Sequence, residues 1–217
     1  MAAESQTGGR GRRGRVWHSP TGENLSFSLL LRPAIAASAA SPLTLLAGAA
    51  LGQTLASLGF SPQLKWPNDV LLDAGDGLRK VAGILTEMAS EGGRIRHIVL
   101  GVGVNVNNQT FPTDLAALAT SLRLVRGTFL DRGVVLAAFI NAFEPIYEDF
   151  VARGPAAGLA EWRRFALLGQ PCWVERESTR VEGVAEDVDD SGALLIRSAD
   201  GERFSVHSGQ VNWPRPM

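Results

Sequence analysis

The strongest constraint on the fold is a pair of apolar runs, residues 81–88 and 95–106, joined only by the turn Glu91-Gly92-Gly93. So short a connection leaves no room for a crossover helix, and the two runs must pair antiparallel as a hairpin. Residues 25–31 alternate in part (Leu25, Phe27, Leu29, Leu31) and read as a strand stopped before Pro33. Residues 63–67 and 70–73 read as short strands, with Asp73-Ala74-Gly75-Asp76-Gly77 as a turn. Between them Ser41 suits an N-cap and Pro42 a first helical position, for a helix reaching about Leu58 and stopped by Gly59. Further helices are expected over 115–122, over 131–152 with Asp131 as N-cap and a kink at Pro145, and over 155–167. The order predicts an α+β fold: a mixed, largely antiparallel sheet with helices packed on it.

Beyond Gly169 the pattern changes. Residues 172–175, 181–188, 193–197 and 203–207 are short strand-like runs with turns at Asp189-Asp190-Ser191-Gly192 and Asp200-Gly201. They predict a small β-barrel. The domain boundary falls near Leu168, giving units 1–168 and 169–217.

With 217 residues, 45% of them hydrophobic and 20% charged, the chain can bury a sizeable core. Its formal net charge of -1 makes any basic site local. One cysteine, Cys172, allows no internal disulfide, and three histidines beside it form no zinc spacing. The longest apolar runs, 43–51 and 134–140, fall short of the ~20 residues that span a bilayer, and the polar, arginine-rich start is unlike a signal peptide. A cytoplasmic location without a membrane partner is the resulting expectation.

Four segments carry candidate chemistry. The first is Gly9-Arg10-Gly11-Arg12-Arg13-Gly14-Arg15, where glycines let backbone N–H groups converge on an anion and arginines offer planar forks to carboxylate or phosphate. It lacks the Gly-Lys-Ser/Thr of a P-loop, and on its own reads more readily as a solvated basic arm for nucleic acid. The second is Lys65-Trp66-Pro67-Asn68-Asp69, in which Asp69 is a candidate Mg²⁺ ligand and Asn68 a candidate phosphate donor; an ordinary β-turn is the alternative. In the third, Lys80 opens an apolar strand interrupted by Gly83, so it stands either in a cleft or at a solvated strand end. In the fourth, Gly101-Val102-Gly103-Val104-Asn105, the alternation bares one strand face into a flat slot for a planar ligand or a close-packed helix.

In this order and at these spacings, the four segments together resemble the catalytic domain of biotin protein ligases, a class II synthetase-like fold, over nearly the whole chain from about Gln6. The tail, with Gly192-Ala193-Leu194-Leu195 and Gly209-Gln210-Val211, resembles that family's SH3-like C-terminal barrel. The resemblance implies a ligase that forms a carbon–nitrogen bond in two steps. Biotin is activated by MgATP to biotinyl-5′-adenylate, then transferred to a lysine of a biotin carboxyl carrier domain of acetyl-CoA carboxylase or a related carboxylase. It further implies that Gln6, Arg10, Gly11, Arg12, Lys80, Gly83 and Gly103 line the biotin site. Arg12, Arg15, Trp17, Asn68, Asp69 and Asn105 would serve ATP, with Asp69 on the metal and Lys80 and Arg12 at the reacting groups. It allows a homodimer and, with no helix-turn-helix in the sequence, no nucleic acid. The family's strand and helix ahead of the arginine loop, with a Ser-Thr-Asn-type turn, have no counterpart in the eight residues before Gly9. An inactive or partner-dependent fragment is therefore the first alternative, followed by a lipoate ligase and a nucleic-acid-binding module.

Overall fold

A computed structural model describes residues 1–176 and 179–213 of the chain; residues 214–217 of the expected second unit lie outside it. The predicted hairpin is the centre of the molecule. Strand β5 (Leu78–Glu91) pairs antiparallel with β6 (Arg94–Val104) along nearly its whole length. Around it, β1 (Ala2–Ala3), β2 (Leu25–Leu31), β3 (Gln63–Lys65) and β4 (Asp69–Asp73) complete a six-stranded sheet in the order β1-β2-β6-β5-β4-β3. Every ladder in it is antiparallel.

Helix α1 (Leu43–Ser57) packs against this sheet, and α3 (Arg132–Arg153) and α4 (Ala156–Phe165) pack against α1. By composition residues 37–57 are long and apolar enough to cross a membrane, which exceeds the run lengths read from sequence. Yet 72% of its most apolar 18-residue window is buried inside the fold, with Leu43, Leu46, Leu51 and Leu55 fully enclosed. Each such leucine contributes roughly 1.5–3 kcal/mol of transfer free energy. Helix α3 is capped as expected, Asp131 Oδ1 accepting from the Gly133 N–H at 2.7 Å, and it runs through Pro145 as one element. A Phe27–Phe139–Phe143 aromatic series links it to β2.

Two helical expectations need correction. Ser41 forms no capping bond; the N-cap position belongs to Pro42, whose carbonyl accepts from Leu45 and Leu46. Residues 113–118 are turn rather than helix: the Pro112 carbonyl accepts from Leu115 and Ala116, the Leu115 carbonyl from Leu118 and Ala119, and the chain then leaves for the bridge between Ala119 and Lys80. A short helix α2 (Leu122–Arg126) follows instead, capped by Ser121, whose Oγ accepts from Leu124 N.

The C-terminal region is a five-stranded antiparallel sheet of β7 (Pro171–Arg176), β8 (Thr179–Val188), β9 (Leu194–Arg197), β10 (Arg203–Val206) and β11 (Val211–Asn212). Its order is β10-β9-β8-β7-β11, and no ladder joins β10 to β11 among the described residues. The predicted strands are present, with β11 added; closure into a barrel is not seen. The segment leading to it runs beside β3: Leu167 N donates to Leu64 O at 2.8 Å and Ala166 bridges Leu64 in parallel.

Candidate active site

The site is built from strand register. Directly opposed residues of neighbouring strands point to the same face of a sheet. Lys65 lies opposite Asp69, Asp69 opposite Gly83, Gly83 opposite Gly103, and Gly103 opposite Ser26. One row across five strands therefore presents a cation, a carboxylate, two bare glycines and a hydroxyl to the same side.

Lys80 joins this face because of a bulge. It is three residues before Gly83, so a regular strand would send it to the opposite face. The register shifts, however: Val70 opposes Ala82 while Leu71 opposes Lys80, leaving Val81 as the extra residue. A bulge re-aims the side chain that follows it. Lys80 Nζ consequently sits 2.5 Å from Asp69 Oδ1. The bulged backbone is tied elsewhere, Lys80 N donating to Leu118 O (2.8 Å) and Lys80 O accepting from Thr120 N (2.9 Å).

The arginine segment is a small hairpin. Gly11 N donates to Arg15 O (2.7 Å), Trp17 N donates to Gly9 O (2.9 Å), and Arg13 takes a left-handed conformation (φ 56). Its end carries Trp17 over the glycine row. A Cβ on Gly103 would come within 2.5 Å of the indole Cε2, so only glycine admits the ring so close. Of the bare face expected from the glycine alternation, Trp17 covers Gly103 together with Gly83 of the neighbouring strand, whereas a Cβ on Gly101 would meet Leu85 and Ser28. The indole Nε1–H is buried there without an acceptor, and Lys80 Nζ lies 5.6 Å from the ring centroid, within cation–π range.

Around Asp69 the charges are mostly positive. Arg12 donates to Asn68 Oδ1 at 3.3 Å, and Asn68 Nδ2 donates to Ile84 O at 2.9 Å, which anchors the bend to β5. Burial, then Arg13 and Arg15, lower the Arg12 pKa against the opposing pull of Asp69. Burial also lowers the Lys65 pKa, Asp69 opposing and Lys80 and Arg15 adding to the fall. Three cations (Arg12, Lys65, Lys80) thus act on one carboxylate, with Arg15 adding positive charge beside Arg12 and Lys65, an excess that favours bound anions. The open cavity lies beside this cluster rather than over the glycines. It measures about 220 Å³ and is lined by Arg13, Trp173, Glu175, Gln210 and Asn212.

Of the residues expected to form the site, the structure gathers Arg12, Arg15, Trp17, Asn68, Asp69, Lys80, Gly83 and Gly103. Gly11 lies within the hairpin, and Gln6 just ahead of it, with its side chain against Gly9. Arg10 pairs with Glu87 at 3.2 Å, four residues along β5 from Gly83 on the same face of the sheet. Asn105 departs most from expectation. It is 4% exposed, its Nδ2 donates to Thr120 O (3.1 Å), and its Oδ1 accepts from Asn24 (3.3 Å). Its amide braces the segment that holds Lys80 instead of facing the row. Lys65 and Ser26 were not foreseen as site residues. Lys65 had a readable signal, a position four residues before Asp69 across a tight bend; Ser26 had none.

The chain is similar to known proteins. Residues 1–105 match the biotin/lipoate A/B protein ligase family, and residues 167–211 match the biotin protein ligase C terminal domain. The biotin–[acetyl-CoA-carboxylase] ligase of Paracoccus denitrificans is 35% identical over 94% of this chain and 85% of that protein. The chain belongs to the biotin protein ligase family. The bifunctional ligase/repressor BirA of Bacillus spizizenii is 38% identical over 97% of the chain, which spans 65% of that relative's length. The solved biotin protein ligase of Aquifex aeolicus, in complex with biotin and ATP, superposes with a TM-score of 0.84 at 27% identity, covering 99% of this chain and 88% of the other. The α+β architecture and the antiparallel C-terminal sheet are therefore those of the biotin ligases. The family model for the C-terminal domain starts at residue 167, beside the change of pattern read near Leu168.

Proposed function

We propose that this chain is a biotin–[biotin carboxyl-carrier protein] ligase. A biotin carboxylate oxygen attacks the α-phosphorus of ATP, the bond to pyrophosphate breaks, and biotinyl-5′-adenylate forms. A lysine amine of a carrier domain then attacks the acyl carbon and AMP leaves. The observation that carries this reading is the excess of cations, Arg12, Arg15, Lys65 and Lys80, beside an apolar glycine floor. Bringing a carboxylate to a triphosphate means joining two anions. Fixed positive charge lowers that repulsion and stabilises the charge that develops at phosphorus.

The division of labour follows position. Gly83 and Gly103 floor a slot for biotin's fused rings, with Gln6, Gly11, Arg12 and Lys80 around it. Arg12, Arg15 and Asn68 hold phosphate oxygens, and Trp17 lies against the nucleotide base once it leaves the glycines. Leaving would also expose its unpaired indole N–H to an acceptor, which favours movement. The proposal retains Arg10 as a loop residue that must first release Glu87, and Lys65 as an added phosphate ligand. Asp69 would hold Mg²⁺ through one oxygen, the remaining ligands being phosphate and water, as suits that ion. The metal would neutralise charge on the phosphates. Among the described residues no cluster of three His, Cys, Asp or Glu competes with this assignment.

The carrier is the biotin carboxyl carrier domain of acetyl-CoA carboxylase, by analogy with the Paracoccus relative. The proposal divides the chain into a catalytic unit 1–168 and a C-terminal unit 169–217, working in the cytoplasm and without nucleic acid. A homodimer is the assembly to test by light scattering. The deciding experiment supplies the chain with biotin, MgATP and a carrier domain. Biotin-dependent ATP–pyrophosphate exchange and a carrier mass gain of one biotinyl group are expected; lipoate in place of biotin should give neither. Absence of both with biotin overturns the reading.

A further inference from the structure

Trp66 lies in the middle of the Lys65-Trp66-Pro67-Asn68-Asp69 bend, yet its side chain turns away from the site. It is 3% exposed, and its indole Nε1–H donates to the Gly192 carbonyl of the C-terminal sheet at 2.9 Å. That acceptor sits in a braced turn. Asp189 Oδ1 accepts from Ser191 N (2.9 Å), Ser191 Oγ (2.6 Å) and Ala193 N (3.0 Å), and Gly192 N donates to Asp189 O (2.8 Å). Gly192 has φ +78 and packs against the start of α1: a Cβ there would stand 3.3 Å from both Pro42 Cα and Leu45 Cδ1. The turn is therefore gripped by the catalytic unit and cannot drift as a free loop. Close by, Arg163 of α4 donates to Asp187 Oδ1 (2.6 Å) and Val188 O (2.7 Å) on the strand entering the turn.

The bend's two legs carry the charges. Lys65 and Asp69 oppose each other, and Asn68 follows directly after Pro67. A hydrogen bond at the apex restrains both legs together. The arginine loop meets the same C-terminal sheet on the other side, Arg15 donating to Gln210 Oε1. The C-terminal sheet thus touches both halves of the cation cluster without contributing a residue to the glycine row.

We propose that Trp66 is a positioning residue: through its indole N–H on Gly192, the C-terminal sheet sets the placement of Lys65, Asn68 and Asp69 and hence the grip on ATP. The ATP part of this rests on the ligase reading above; the mechanical coupling does not. Trp66→Phe keeps a buried aromatic ring, removes the donor and leaves a small space where the rest of the indole stood, so Asp189→Ala serves as the independent probe. Asp189→Ala loosens the acceptor turn at a position remote from the bend.

Hydrogen–deuterium exchange on the full chain tests the coupling. Trp66→Phe should speed exchange in peptides spanning 189–194, and Asp189→Ala should speed it in peptides spanning 64–70, each by roughly fivefold, the worth of one hydrogen bond. In pyrophosphate exchange both variants should raise KM for ATP by roughly fivefold, with KM for biotin within about twofold, and the double variant should be no worse than the poorer single one. Exchange confined to the mutated side, or equal losses for ATP and biotin, overturns the proposal. A wild-type chain that makes no adenylate would instead refute the ligase reading, while the exchange data still decide the coupling.

Discussion

Replacing Lys80 with alanine should separate chemistry from folding. Its ammonium is the cation nearest Asp69, at 2.5 Å, with the two side chains 32% and 27% exposed. Removing it does not strand the carboxylate, because Lys65 and Arg12 remain in Coulombic reach of Asp69. Nor does it undo the bulge, whose backbone is held by Leu118 and Thr120. A pair this accessible contributes on the order of 1 kcal/mol, which for a chain of this size lowers Tm by about 2–4 °C. The chemical cost is larger. Losing one preorganised charge at the reacting phosphoryl group removes about 2.7–4 kcal/mol of transition-state stabilisation, or about 100- to 1000-fold in rate. A domain with ordinary stability of roughly 5–15 kcal/mol stays almost wholly folded after losing 1 kcal/mol, so unfolding cannot mimic that rate loss. Gly83→Ala supplies a graded control: the added Cβ would stand 3.1 Å from Lys80 Cε and Nζ, displacing the ammonium without deleting it. About tenfold is expected there. The assay is single-turnover adenylate formation alongside thermal melting. A Lys80→Ala rate within tenfold of wild type, or a rate loss matched by a collapse in Tm, would refute the reasoning.

Further outcomes follow from the same geometry. Gly103→Val places its Cβ within 2.5 Å of the Trp17 indole and must expel it, so tryptophan emission should shift to the red; unchanged emission would show that the ring does not cover the glycines. Cys172 is 3% exposed and burial pushes its thiol up to about 11, so iodoacetamide at pH 8 should leave the native chain unlabelled while labelling it in denaturant. Burial raises the Asp189 pKa, but hydrogen bonds from Ser191, Ala193 and Ser205 outweigh it and the net pKa is lowered. Its contribution is present above the unfolded carboxylate range and is lost as pH falls through the lowered value. Acid melts should therefore weaken the chain below about pH 4, and less steeply in Asp189→Asn; identical profiles would exclude this turn as a source.

The sequence by itself determined the elements and the kind of chemistry. The short Glu91-Gly92-Gly93 connection forces β5 and β6 together, because no longer path is available to the chain. Asp131, Gly59 and the Gly-rich turns mark their ends through local hydrogen bonds and left-handed backbone, both of which are readable in a few residues. Local signals misled at Pro42, where the proline takes the N-cap position itself, and over 115–122, where two successive turns replace the expected helix. The site was legible only as separate motifs. Whether Lys65, Asp69, Gly83 and Gly103 share a face depends on register across four strands. Whether Lys80 joins them depends on one extra residue, Val81, absorbed as a bulge. Register is a property of pairs of strands, and no single segment contains it. For the same reason Trp66, which looked like part of the catalytic bend, turned out to be its tie to the C-terminal sheet. Asn105, which looked like a ligand, turned out to brace the strand that carries Lys80.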